Sequence, residues 1–208
     1  MFDQEVSPTD VGGLVLQPGA WTDHPDYEYA GHTEMVPGMP RSPVSGIAPD
    51  SSHSHRLPLF LSSLAEGGRN SGEEMLYRAL KAGLAEQFLA KVAVPPSESF
   101  GAVRLTNFMD GHNGVYRWGY QTIGEGSGYG PYELSGTFNL GWWAFLGDTR
   151  VRDLYVTQVS KFPLPEAVID TYLGPGRNSL REQNLRITSP ECYRNGMREL
   201  LVRLATWL

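Results

Sequence analysis

The run LSGTFNLGWWAFLG, Leu134 to Gly147, carries no charge on any face. Read as a helix, it would be apolar nearly all round, and such a helix has to be surrounded by the rest of the protein. It falls short of the ~20 apolar residues that cross a bilayer. The chain therefore has to supply the cover itself, which makes a buried central element the organising expectation for the fold.

Amphipathic helices that can provide this cover flank the run on both sides. In LPLFLSSLAEG (Leu57–Gly67), Pro58 stands early and glycine ends the segment, the usual start and stop chemistry. NSGEEMLYRALKAGLAEQFLAKVAVPP is the clearest helix. Ser71 and Glu74 have capping-box spacing, Pro95 and Pro96 stop it, and Leu76, Leu80, Leu84 and Phe88 share one stripe. Glu73, Arg78, Lys81 and Glu86 lie opposite, so one side is wet. Asp148 or Thr149 can cap TRVRDLYVTQVSKF, and a shorter helix runs from Pro165 to Leu173 before Gly174. A closing helix begins at Ser189–Pro190, with Met197, Leu200, Leu201, Leu204 and Trp207 expected to face inward.

The first quarter of the chain is different. Residues 1–56 hold seven of the fifteen prolines and keep no helical period. Trp21, Tyr27 and Tyr29 need something to pack on, so the zone reads as an extended Pro-rich arm over an α-rich core domain, 57–208. Between the helices, Asp110–Gly111 and Asn113–Gly114 are hairpin-turn pairs flanked by AVRLTNFM and VYRWGYQTI, which predicts a β-hairpin near 102–123. The fold class is mainly α: helix pairs with long ordered loops.

Charge and cysteine usage narrow the function. A net charge of −6 without any Lys/Arg block argues against nucleic acid as partner. One cysteine, Cys192, excludes an intrachain disulfide and thiolate metal sites. The start, MFDQEVSPTDVGG, lacks the basic and apolar regions of a secretory signal, so a soluble, cytoplasmic protein with no membrane partner is the expectation. There is no G-x-S-x-G elbow and no P-loop. GEGSGYG (Gly124–Gly130) has glycine spacing but no surrounding β-α-β pattern.

All five histidines fall in three polar loops. WTDHPDYEYAGH holds Asp23, His24, Asp26, Tyr27, Glu28, Tyr29 and His32. APDSSHSHR holds Asp50, His53, His55 and Arg56 before one uncharged helix. DGHNGVYRWGY and the following GEGSGYGPYE lead into the other. Loops rich in Asp, Glu, His, Arg, Tyr and Trp, held on rigid helices, suit a sugar: rings stack on its faces while carboxylates and amides hold hydroxyls. The catalytic candidates are Asp110, His112, Glu133, Tyr116 and Arg117. Asp110 and Glu133 form the first acid–base pair for glycoside hydrolysis, with Asp50 behind them. In a lyase, Tyr116 or His112 would take a proton beside a uronate carboxylate that Arg117 and Asn113 neutralise. Substrate contacts are expected from Asp50, His53, His55, Arg56, Asn113, Trp118, Tyr120, Tyr129 and Tyr132. No cofactor is expected. Each cluster also has a plainer reading as turn, cap or packing residues.

The segments PDSSHSHRLPLFLSSL, DGHNGVYRWGY and YGPYELSGTFNLGWWAFLG, within Asp50 to about Gly174, resemble in architecture the glycan-processing enzymes with an α/α toroid. The resemblance implies apolar inner helices, amphipathic outer ones, a cleft among loops at one end, and an oligosaccharide ligand. It carries no catalytic signature, so no residue role is transferred. A full toroid of about twelve helices, at ~11–12 residues each with ~5-residue links, would use the whole chain. The long loops therefore leave room for about half a toroid, as in the C-terminal part of a larger enzyme. A non-catalytic binding or assembly module would scatter its carboxylates; an enzyme would gather Asp110, His112 and one of Asp50 or Glu133 in one pocket. A metallohydrolase would need His53 and His55 with a carboxylate around one ion.

Overall fold

In a computed structural model, residues 5–68, 70–120, 123–124, 126–175 and 189–208 are described. The architecture is mainly α, about 44% helical with a few short strands. The arm opens with a small antiparallel ladder, β1 (Val6–Pro8) against β2 (Leu14–Leu16). A single-turn helix α1 (Ser51–Ser54) follows, then the pair α2 (Leu57–Glu66) and α3 (Ser71–Gln87), which pack together. The cap of α3 is Asn70 rather than Ser71: its side chain accepts the Glu73 N–H at 3.0 Å. Phe88–Val92 then widens into a π turn, and the helix gives way to β3 (Ala93–Val94) before the prolines are reached.

The hairpin expected over 102–123 is replaced by pairings with other parts of the chain. β4 (Arg104–Leu105) runs antiparallel to β3, Phe108 bridges to Asp50, and Tyr116 bridges to Tyr129. Asp110–Gly111 does make a tight turn, with the Gly111 N–H donating to the Phe108 carbonyl at 3.1 Å. Its flanks diverge because each finds a longer-range partner.

The uncharged run is buried, but as two 3₁₀ segments, Ser135–Leu140 and Trp142–Leu146, and not as one helix. Gly141, at φ 82°, breaks them and Gly147, at φ 68°, ends the second, a backbone region that side chains with a Cβ rarely enter. Two short segments turn Phe138 and Trp143 into one core, where Phe88 stacks on Trp143 at 4.2 Å and Phe138 on Tyr155 at 4.2 Å. Around them close α4 (Thr149–Val159), capped by Asp148, α5 (Glu166–Leu173), α6 (Glu191–Arg194) and α7 (Met197–Ala205). Gln158 ties this core internally, accepting the Val103 N–H and donating to Asn139 and Tyr172. Such full satisfaction is what a buried amide requires.

The closing helix departs from expectation. Gly196, at φ 79°, splits it into α6 and α7 and resets the phase. Val202 and Ala205 then face the core, while Leu200, Leu204 and Trp207 are exposed. Leu14 and Val15 of the arm lie in the main core, and Tyr27, Ala30 and Ile47 join Phe108, Tyr116 and Tyr129 in a second cluster. No helix among the described residues is long and apolar enough to cross a membrane.

Candidate functional site

Tyr27 and Tyr116 of the second cluster line a cavity of about 470 Å³, within the ~300–1,000 Å³ usual for ligand pockets. The arm contributes Trp21, His24, Asp26 and Tyr27; the segment around α1 contributes Asp50, His53 and Ser54; the loop before the buried run contributes Tyr116 and Arg117. Two backbone bonds hold arm and loop together, and two more brace the loop itself. The Val115 N–H donates to the His32 carbonyl at 2.8 Å and the Arg117 N–H to the Asp26 carbonyl at 2.9 Å, while Tyr116 and Tyr129 exchange bonds at 2.8 Å. Gly114 permits this approach, since a Cβ there would lie 1.6 Å from the Ala30 carbonyl oxygen.

Two pairs, each built on a carboxylate, face the cavity. Asp50 is buried and accepts four donors: the Tyr27 hydroxyl at 2.9 Å, the Ser52 hydroxyl at 2.5 Å, the His53 N–H at 3.1 Å and His53 Nδ1 at 2.9 Å. Burial pushes its carboxyl up, but the hydrogen bonds and charge of His53, with Ser52 and Tyr27, outweigh this and hold it below the usual carboxylate range. It is therefore an anion at neutral pH. With Nδ1 directed at Asp50, the free ring nitrogen of the half-exposed His53 is Nε2.

In the second pair Arg117 Nε meets Asp26 Oδ2 at 2.7 Å. Arg117 has φ 56°, so its backbone turns sharply to aim the side chain. Its guanidinium lies 4.5 Å from the Tyr120 ring centroid and 5.1 Å from that of Tyr116. Neither Nη donates to a described residue, so that edge is free to meet a ligand. Burial lowers the affinity of Arg117 for its proton, but Tyr116 and Asp26 more than restore it. Burial, then the Asp50 charge, pushes the Tyr27 and Tyr116 hydroxyls far above their ordinary range, so both remain neutral donors.

Of the residues singled out from the sequence, Asp50, His53, Tyr116 and Arg117 come together here. Asp110 and Glu133 do not line this cavity. Asp110 accepts the Ala48 N–H at 3.0 Å and the His112 N–H at 2.9 Å, with His112 Nδ1 beside it at 3.1 Å. Glu133 accepts the Gly130 N–H at 2.8 Å, and burial raises its carboxyl against that bond. Asn113 Oδ1 accepts the N–H groups of Asn107 and Tyr132, fixing the loop and not a ligand. Tyr129 is core, Trp118 packs near Tyr29, and Tyr120 covers Arg117. Arg56 is exposed. Tyr132 belongs to another cluster, around Arg104.

His53 and His55 part company because they sit on a helical turn, where residues two apart point in different directions. His55 is buried against Trp142 at 5.1 Å, and burial lowers its pKa to about 4. Among the described residues no three His, Cys, Asp or Glu side chains group so as to hold a metal ion. Trp21, His24, Asp26 and Tyr27 were visible as a polar cluster, but nothing local showed that the arm would fold back onto residues 116–117. The Tyr27–Asp50 bond and the Asp26–Arg117 pair span 23 and 91 positions in the chain.

No protein-family model matches the chain, and neither a curated protein nor a solved structure matches it.

Proposed function

We propose that the chain is a carbohydrate-active enzyme that cleaves an acidic oligosaccharide by elimination, with His53 as the base. The observation that carries this reading is the arrangement of Asp50–His53 and Asp26–Arg117 around one cavity. Asp50 orients the imidazole and stabilises its charged form, as a carboxylate behind a general base does. Arg117 offers its Nη edge to the sugar carboxylate, making the neighbouring C–H more acidic. His53 Nε2 removes that proton, the C–H electron pair becomes the new C=C bond, and the C–O bond to the departing sugar breaks. The leaving oxygen takes a proton, and the imidazolium loses one. Trp21, 38% exposed at the rim and stacked near Tyr27, gives a sugar ring an apolar face.

Hydrolysis by two carboxylates fits less well. A general acid needs a raised carboxyl pKa, whereas that of Asp50 is lowered. Glu133, whose pKa is raised, stands outside the cavity. The α/α-toroid likeness remains the architectural part of this proposal, supported by the helix pair α2–α3 and the polar loops at the site. A binding module is the second reading, favoured by one observation: the two buried cavity carboxylates, Asp50 and Asp26, are already paired.

The test is ultraviolet detection of the unsaturated product from a panel of uronate oligosaccharides, with wild type, His53→Gln and Asp50→Asn. Loss of ~10²–10⁴-fold in turnover with binding retained supports the base assignment. Binding without turnover in the wild type supports the module; neither binding nor turnover sinks both.

A further inference from the structure

A second cluster, away from the cavity, is built around Arg104. Among the described arginines, those at 41, 78, 117, 150, 194 and 203 each pair with a carboxylate, Arg56 and Arg152 are exposed, and Arg198 is buried against the Tyr193 ring. Arg104 is neither paired nor exposed. No described carboxylate comes within ion-pair distance of it, its side chain donates no hydrogen bond to a described residue, and its Nε is wholly buried without an acceptor among them. This happens in a chain of net charge −6, where carboxylates are in excess.

The guanidinium is nonetheless held. Its Cζ lies 4.3 Å from the Tyr132 ring centroid and 5.1 Å from that of Phe100, and its backbone is on the β3–β4 ladder. Tyr132 reaches this place by adopting φ 68°, a rare conformation for an aromatic residue. The Asn113 carboxamide holds it by accepting its N–H at 3.0 Å, and the Ser135 hydroxyl by donating to its carbonyl at 2.5 Å. Backbone strain of this kind persists where surrounding contacts over-determine it, and it gathers at ligand clamps. Aromatic stacking satisfies the flat faces of the cation but none of its N–H groups. Arg104 as a whole is only partly buried, and its Nη atoms donate to no described residue.

We infer that Arg104, clamped by Phe100 and Tyr132, is a binding site for an oxyanion, carboxylate or phosphate, taken through the guanidinium edge. The planar fork matches either oxyanion in two parallel hydrogen bonds, and its immobilisation lowers the entropy lost on binding. Phe100, Arg104 and Tyr132 do not line the cavity of the candidate site, so the Arg104 site stands whether or not the elimination chemistry does.

Titration calorimetry at low ionic strength, with galacturonate, inorganic phosphate and uncharged galactose, tests it. The expected result is saturable binding of at least one anion, weakened ~10-fold or more in Arg104→Gln and unchanged in Arg78→Gln, an exposed arginine outside both sites. Galacturonate alone would identify a sugar-acid carboxylate; phosphate alone or both would identify a general oxyanion site. Arg104→Lys keeps the charge and loses the fork, so weakened binding by this folded variant also supports the assignment. No anion binding, binding indifferent to both Arg104 variants, or equal weakening in Arg78→Gln would overturn it.

Discussion

His55 is the residue whose burial has the clearest energetic signature. Its pKa is lowered to about 4 by burial, so the folded protein refuses a proton that the unfolded chain accepts near 6.5. Where the unfolded state binds more protons, stability falls as pH falls. The loss begins as pH drops through 6.5 and saturates near 4, where the folded form also protonates. It should amount to roughly 3 kcal/mol. Asp50 acts at lower pH, with a shift in the same direction. Its lowered pKa contributes stability above the unfolded value of ~3.9, lost as pH falls through the folded value. Denaturation midpoints measured from pH 7.5 to 4 should therefore decline in the wild type and stay much flatter in His55→Gln. A parallel decline in both would remove His55 as the cause.

At the scale of elements, Gly141 decides how the uncharged run is built. Its φ of 82° breaks the two 3₁₀ segments, and a Cβ there would meet the Leu201 carbonyl oxygen at 3.1 Å. Gly141→Ala should cost about 1–3 kcal/mol in urea unfolding; an equal or more stable variant would show that the backbone relaxes freely. The sequence made the burial of Leu134–Gly147 plain, because an uncharged face all round leaves no alternative. It did not reveal the conformation, since Gly141 and Gly147 read equally well as residues packed inside a helix. The start of α4 at Asp148 and the end of α5 at Gly174 were legible because capping is local chemistry. The inward face of α7 was not, because Gly196 shifts the helical phase before Met197. The candidate site follows the same rule. Asp50, His53, Tyr116 and Arg117 stood out as polar residues in loops, whereas the structural use of Asp110 depends on Ala48, 62 positions away.

For the whole molecule, the arm is both wall and seal. Leu14 and Val15 are buried in the main core, while Asp26 and Tyr27 complete the two charged clusters. Gly114 is where arm and loop meet most closely. Gly114→Ala would drive a Cβ into the Ala30 carbonyl, so it should loosen the arm and expose Tyr27 and Tyr116 together. Limited proteolysis provides the measurement: cleavage within 20–48 should accelerate in this variant at least ~10-fold, as expected when opening becomes cheaper by ~1.4 kcal/mol or more. Unchanged cleavage would mean that the arm is anchored elsewhere.

The pairing of Asp26 with Arg117 has a temporal side as well. A ribosome releases the arm long before it reaches residue 117, at about 5–20 residues per second, so one wall of the cavity exists for seconds without the other. During that interval Asp26 has no cation and Tyr116 has not been made. The cavity is thus incomplete until residues 116 and 117 have been made, and it closes only when the chain doubles back onto the arm. Any ligand that bridges the two walls would then act as a fastener, slowing the departure of the segment that was made first.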